Sequence, residues 1–450
     1  MNQPEKATIM TDPKTPTNLV PIMLIGSLFF IFGFITWLNG ALIPFLQIVC
    51  DLSQTQALFI ASAFYLAYTL MALPMAWVLE KVGYKNAISL GLVLVAVGFL
   101  LFIPAAETQV FVLFLFAQFV VGTSLTLLQT AANPYIVKCG PQKTAAVRIF
   151  VMGLLNKGAG VLAPLFFAAW VVGDFKDVTV DSINALPEAE RLIQIDALAN
   201  GLIMPYLAGA IVWLIAAALI KKSSLPELDL DNEISAETGT QLSQNKTSIM
   251  QFPHLILGAL TIFVYVGVEV IAGDTIGLFG ASLGVANATT LTSYTMGFML
   301  LGYALGLVLI PRIMQQQTAL LGSAALGVIL SILIIISDPE SSSVSEVLWG
   351  WSGIQILPNI ITFVAMFGFA NAVVWPAVWP LALEGLGKFT ARGSALLIMG
   401  IAGGATLPLL YGVLAEQTGG QSAYWMMIPC YLFIFYYALK GHSLRSWTRS

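Results

Sequence analysis

Leu255-Ile256-Leu257-Gly258-Ala259-Leu260-Thr261-Ile262-Phe263-Val264-Tyr265-Val266-Gly267-Val268-Glu269-Val270-Ile271-Ala272-Gly273-Asp274 is apolar almost throughout and carries no charge before Glu269. An α-helix of about this length crosses the ~30 Å hydrocarbon core of a bilayer. Glu269 would then lie roughly 20 Å along its helix, near the membrane midplane. An isolated charge there costs at least ~2.5–3.5 kcal/mol, so it should face other helices and seek a partner. Asp274 falls nearer the helix end, where a solvated mouth position is expected.

Eleven further stretches read the same way. Spans are expected near 21–46, 55–79, 87–105, 109–137, 144–172 and 198–220, then 254–280, 288–311, 317–337, 356–383, 393–415 and 422–440. Within their interiors the charges are Lys157, Glu269 and Asp274. The chain is 58% hydrophobic and 9% charged, whereas a water-soluble globule carries about 25% charge. It therefore reads as an all-α membrane protein, with no indication of nucleic-acid binding. Residues 1–20 are a polar tail without a cleavable signal peptide, 21–220 a first six-helix bundle, 221–252 a polar linker, 253–440 a second bundle and 441–450 a tail.

Orientation follows from Lys and Arg, which favour the cytoplasmic side. With a cytoplasmic N-terminus, all but Lys157, Lys176 and Arg191 of the 19 basic residues fall inside. The outward loops instead carry Asp174, Asp177, Asp181, Glu188, Glu190, Asp338, Glu340 and Glu346. Both termini are expected in the cytoplasm. Three widely spaced cysteines, Cys50, Cys139 and Cys430, form no disulfide framework.

Polar groups inside the spans mark the working parts. Thr126, Gln129 and Asn133 recur at helical spacing, so they project from roughly one face. An amide both donates and accepts, which suits a polar ligand, although interhelical hydrogen bonding is the alternative use. Asn39 and Asn371 lie in symmetry-related helices accompanied by Trp37 and Trp375, and aromatic faces with nearby amides suit a polar ligand. Pro44, Pro134, Pro376 and Pro408 free the carbonyls of Gly40, Thr130, Ala372 and Gly404, as hinges, ligand acceptors or packing kinks. Lys157, at a depth like that of Glu269, is expected to share one central cavity with it, either contacting a ligand or forming an ion pair that fixes packing.

Two motifs carry a resemblance. Glu80-Lys81-Val82-Gly83-Tyr84-Lys85-Asn86 resembles the signature loop of the major facilitator superfamily, G-x-x-x-D-R-x-G-R-R, with Ala76 at the first Gly. In the equivalent loop of the second half, Gly306 to Gln315, only Arg312 remains and Ile310 takes the acidic position. Leu128-Gln129-Thr130-Ala131-Ala132-Asn133-Pro134-Tyr135, followed by Cys139-Gly140-Pro141, is similar to the fourth helix of the sugar permeases that include the L-fucose and glucose/galactose/N-acetylglucosamine cation symporters. Phe29 to Phe34, Leu38-Asn39, Tyr265 to Val270, Leu381 to Gly387 with Gly393-Ser394, and Gly403-Gly404 extend the likeness over both halves.

The resemblance implies a major facilitator fold with twelve transmembrane helices in two pseudosymmetric six-helix bundles. It implies alternating-access import of a hexose-type sugar, a monomer in the inner membrane, and no cofactor beyond a co-transported H+ or Na+. The sugar-binding set would be Trp37, Asn39, Gln129, Asn133, Asn156, Lys157, Tyr265, Glu269, Asn371 and Trp375. Coupling would rest on Glu269 or Asp274, and a conformational latch on Glu80, Lys81, Lys85, Arg148, Arg312, Glu384 and Arg392. Two departures bear on coupling: the fucose branch has a carboxylate where this chain has Gly40, and Glu where it has Gln129. A uniporter is therefore the alternative, with drug or metabolite export behind it. An enzyme is disfavoured, since His254 and His442 sit at membrane ends and no catalytic motif is present.

Overall fold

The structure is a computed structural model that describes residues 19–138, 145–173, 180–223, 225, 246–310, 312–386 and 389–447. Among these, all regular structure is helical. Twelve helices are long and apolar enough to cross a membrane: α1 (Ile22–Val49), α2 (Gln54–Val82), α3 (Tyr84–Thr108), α4 (Phe111–Asn133), α5 (Arg148–Val171), α6 (Glu188–Lys222), α7 (Pro253–Asp274), α8 (Ala288–Leu309), α9 (Gln316–Ile336), α10 (Asn359–Leu383), α11 (Arg392–Thr418) and α12 (Gly420–Ser443). Most of the expected linker, and Cys139, Gly140 and Pro141, lie outside the described residues.

Apolar side chains on α2 divide by helical face. Phe59, Leu66, Leu70, Leu73 and Trp77 are exposed, whereas Ala57, Leu58, Ala61, Tyr65 and Tyr68 are buried. The first set is the lipid-facing stripe, since hydrocarbon does not penalise exposed apolar surface. Ser53 starts α2 with a capping box: its side chain accepts from the Gln56 N–H, and its own N–H donates to Gln56 Oε1, satisfying two helix-end donors reciprocally.

Two spans differ from expectation for local reasons. The charged segment Glu188–Asn200 is helical and leads almost directly into Ile203–Lys222, so α6 is longer than hydropathy suggests. The stretch expected at 254–280 breaks at Thr275 into Pro253–Asp274 and Ile276–Ser282.

Interior breaks fall at related places. α1 lies within two consecutive helices, Leu19–Trp37 and Asn39–Val49, and α10 consists of Asn359–Asn371 and Val374–Leu383. Pro376 has no N–H for the Ala372 carbonyl, and the α10 break lies at that residue.

Within each half, glycine lets backbones touch. A β-carbon on Gly33 of α1 would overlap the Asn156 backbone of α5, and one on Gly403 of α11 would overlap Phe263 of α7. Gly122 of α4 against Phe64 of α2 is matched by Gly368 of α10 against Thr295 of α8. Close backbone approach replaces the missing hydrophobic drive between helices in lipid. Each contact in one half recurs between the helices six positions on, which is pseudosymmetry expressed as packing.

The halves meet along α2 with α11 and α5 with α8. On the α2–α11 line the residues run at 3–4–3 spacing. The Thr55 N–H donates to Glu416 Oε1 at 3.0 Å, Leu58 packs on Gly412, Ser62 Oγ donates to the Ala405 carbonyl at 2.8 Å, and Tyr65 lies against Gly404. Thr55 and Glu416 belong to the face opposite the linker, called the distal face below. Along α2 and α11 that face is closed.

Candidate functional site

An ion pair crosses the seam at its middle. Lys157 Nζ of α5 lies 2.9 Å from Glu269 Oε1 of α7, and each side chain retains 10% of its surface. The Tyr265 hydroxyl, one turn back on α7, donates to the same oxygen at 2.9 Å. Positions four apart share a helix face, which explains why Tyr265 and Glu269 act together.

Aromatic rings surround the pair. The Lys157 ammonium sits 4.4 Å from the centre of the Trp37 ring, a distance at which the ring quadrupole attracts a cation. Gly160 of α5 and Gly273 of α7 flank the Trp37 indole, and a β-carbon on either would fall within 2.6 Å of it. Only glycines leave that slot open. On the other side Tyr265 is 6.4 Å from Trp375, which is 5.4 Å from Trp379. The indole N–H groups of Trp37 and Trp379 are buried without a partner, and of the two rings Trp37 is the one that lies against the Lys157 ammonium.

The stripe on α4 divides. Thr126 is buried and donates to the Gly122 carbonyl of its own helix. Gln129, Thr130 and Asn133 are partly exposed, and Gln129 Nε2 donates to the Tyr68 hydroxyl of α2 at 2.8 Å. Tyr68 stacks on Tyr65, whose hydroxyl donates across the seam to Asp274 Oδ2 at 3.4 Å. A line of contacts therefore runs from Gln129 to Asp274, hydrogen-bonded at its two ends and joined in the middle by stacked tyrosine rings.

Asp274 is not at a solvated mouth. It is fully buried, because α8 and the segment after Thr275 close over the end of α7. Residues 269 and 274 point about 140° apart on the helix, so Glu269 faces α5 while Asp274 faces α2.

The three asparagines lie elsewhere. Asn39 accepts from Gln118 Nε2 at 2.6 Å inside the first half, beside a small cavity lined by Leu38, Phe99, Phe102 and Tyr206. Asn371 accepts from the Tyr431 hydroxyl at 3.0 Å inside the second. Each keeps an unpartnered amide nitrogen. Asn156 Nδ2 donates to the Phe29 carbonyl at 3.3 Å, between α5 and α1.

Four of the expected latch residues, Lys81, Lys85, Arg148 and Glu384, each touch a partner within their own half. Arg445 pairs with Glu384 at 2.5 Å, Lys85 donates to the Ser223 carbonyl at 2.5 Å, and Arg148 donates to the Ile136 carbonyl at 2.8 Å. Lys81 lies over Trp77, and Glu80, Arg312 and Arg392 are exposed. The cross-seam polar contact at Thr55 and Glu416, on the opposite face, had no motif to announce it. Tyr65 and Tyr68 were also missed, although two hydroxyls three residues apart in an apolar helix must find partners.

Among the described residues no three His, Cys, Asp or Glu side chains converge on a metal site. Cys50 donates weakly to the Gln109 carbonyl, and burial pushes its thiol up to about 12, which keeps it unreactive.

Comparison with known proteins agrees with this architecture. A model described as Major Facilitator Superfamily matches residues 25–402. The chain is 33% identical over 419 residues to the glucose/galactose transporter of Brucella abortus, covering 92% of each. It is 30% identical over 434 residues to a putative glucose/galactose transporter of Helicobacter pylori, covering 95% of this chain and 98% of that one. The L-fucose-proton symporter of Escherichia coli is 27% identical over 427 residues, covering 93% of this chain and 92% of that one. The crystal structure of FucP, a transporter of the same superfamily, in its outward conformation superposes with a TM-score of 0.69 at 24% identity, covering 96% of this chain and all of that one; it shares the fold. The chain is a multi-pass membrane protein of the Major Facilitator Superfamily, from the branch that holds the glucose/galactose transporters and L-fucose-proton symporters.

Proposed function

We propose that this protein imports a hexose-type sugar across the inner membrane by alternating access, driven by H+ or Na+ symport. The observation that carries the reading is the Lys157–Glu269 pair at the seam between halves, flanked by Trp37, Tyr265 and Trp375. Charged hydrogen-bond donors and acceptors next to aromatic faces suit a sugar, whose hydroxyls and C–H face need both. The named relatives, glucose/galactose transporters and L-fucose-proton symporters, support the same substrate class.

Lys157, Glu269 and Tyr265 form the centre of the site, Gln129 and Asn133 its wall on α4, and Trp375 its wall on α10. Trp37 backs the lysine. Asn39, Asn156 and Asn371 act from behind, holding α1, α5 and α10 in place. Glu80, Lys81, Lys85, Arg148, Arg312, Glu384 and Arg392 engage one another when the linker face closes. With both termini cytoplasmic, the closed distal face is the outer one and the protein works as a monomer.

Gly40 favours a second reading, uniport, because the carboxylate of the fucose branch is missing there. Counterflow in proteoliposomes with glucose, galactose, fucose and N-acetylglucosamine, under imposed proton or sodium gradients, tests both. Exchange of at least one sugar with gradient-driven accumulation is expected. Exchange without accumulation would establish uniport, and displacement by lipophilic cations alone would remove the sugar assignment.

A further inference from the structure

Asp274 is an acid whose surroundings differ from those of Glu269. It is completely buried, Oδ1 has no hydrogen-bond partner, and Oδ2 receives one long bond, from Tyr65. Among the described residues no basic side chain pairs with it, because the Lys157 amine is engaged by Glu269.

The groups whose charge or hydrogen bond reaches Asp274 are Glu269 on its own helix, Tyr65 on α2 and Lys157 on α5. Of the helices packed on this end of α7, the second segment of α1 presents no titratable side chain. α8 presents Tyr294 and Tyr303, and α11 presents Tyr411 and an exposed Glu416.

The contact that Asp274 makes belongs to the seam. Tyr65 is in the first half and Asp274 in the second, and Tyr65 reaches across because Gly404 has no side chain: a β-carbon there would lie 2.9 Å from the tyrosine ring. The same line continues through Ser62 and Ala405 to Thr55 and Glu416. When that line parts, Asp274 meets water. When it closes, a carboxylate at this place would be a buried anion without a counter-ion, which costs several kcal/mol. The neutral acid avoids that cost.

We propose that Asp274 is a proton-binding site whose occupancy permits the distal seam to close. The step is simple: with the seam open, the Asp274 carboxylate takes one proton from hydronium, leaving water and a neutral carboxyl, and α2 then docks on α11 over it. The two buried acids divide their work. Glu269 pairs with Lys157 at the proposed ligand site, while Asp274 senses protons at the seam. This assignment rests on the transporter reading but not on the identity of its sugar.

The test follows closure directly. In full-length protein in nanodiscs, with the three native cysteines replaced by serine, Leu58→Cys places a thiol inside the seam. Its maleimide labelling is followed from pH 5 to 9 without sugar and normalised to an exposed reference thiol at Gln417→Cys. Labelling should slow at least fivefold as pH falls, and Asp274→Asn should be slow at every pH. Asp274→Ser, which also lacks the acid, is the second variant if the first does not assemble. Flat labelling in the parent, or a parental pH response in both variants, overturns the proposal. Sugar counterflow on the same samples keeps the two readings apart: pH-dependent labelling without sugar exchange would retain the proton site and reject the sugar.

Discussion

Lys157 has its counter-ion across the seam, so the pair ties the two halves together as well as standing at the proposed ligand site. Glu269→Gln leaves the ammonium buried without a counter-ion, with a neutral amide and the Trp37 ring beside it, and breaking such a pair costs about 3–5 kcal/mol. Uptake should fall at least tenfold and thermal stability in detergent should drop; unchanged initial rates would remove Glu269 from the site. Adding Lys157→Met should recover much of the stability but not the uptake, because the double change leaves no unpaired charge. At Gln129, whose amide holds Tyr68, alanine should weaken sugar affinity by about 1–3 kcal/mol through a lost hydrogen bond and an unsatisfied partner. Wild-type affinity by equilibrium binding would reduce Gln129 to an interhelical tie. Asn39 teaches the opposite lesson: its type and depth match a ligand site, yet Gln118 takes its carbonyl within one half. A sequence names polar residues that need partners, and does not say which partner comes near.

Helices in this protein are shaped by what they must approach. Where α1 meets α7 and α8, a β-carbon on Gly40 would overlap Thr292 Oγ1 and stand 2.9 Å from the Gly273 carbonyl. Thr292 itself donates to that carbonyl at 2.6 Å. The position that is acidic in the fucose branch is therefore a packing position in the closed seam. Gly40→Asp should hold the distal face open, raising Leu58→Cys labelling severalfold and lowering uptake; labelling and uptake like the parent's would show that the seam tolerates a side chain there. Gly404→Leu should act likewise by displacing Tyr65. Whereas α1 breaks at Leu38 and runs helical through Gly40 and Pro44, the break in α10 was legible from Pro376, since proline removes a defined hydrogen bond. The helical run from Glu188 was not, because its charges interrupt the apolar pattern while leaving backbone hydrogen bonding intact.

Movement of one half against the other requires the distal seam to part. Thr55 and Gly412 face each other closely enough for a cross-link to be tried: a β-carbon on Gly412 would be 3.3 Å from the Thr55 α-carbon. In a background without native cysteines, oxidised Thr55→Cys/Gly412→Cys should stop uptake and reductant should restore it. Uptake that persists in fully cross-linked protein would mean the seam stays shut during transport. Twelve spans, their polar interruptions and the presence of Lys157 and Glu269 in the membrane were determined by the sequence alone, because lipid imposes length and apolarity on each helix separately. Which buried groups meet was decided only by tertiary structure. Lys157 to Glu269 spans 112 positions and Tyr65 to Asp274 spans 209, and both pairings depend on how glycine contacts set one helix against another. Asp274 reads as a mouth residue from its place in the helix, and is sealed because α8 and the turn after Thr275 fold over it.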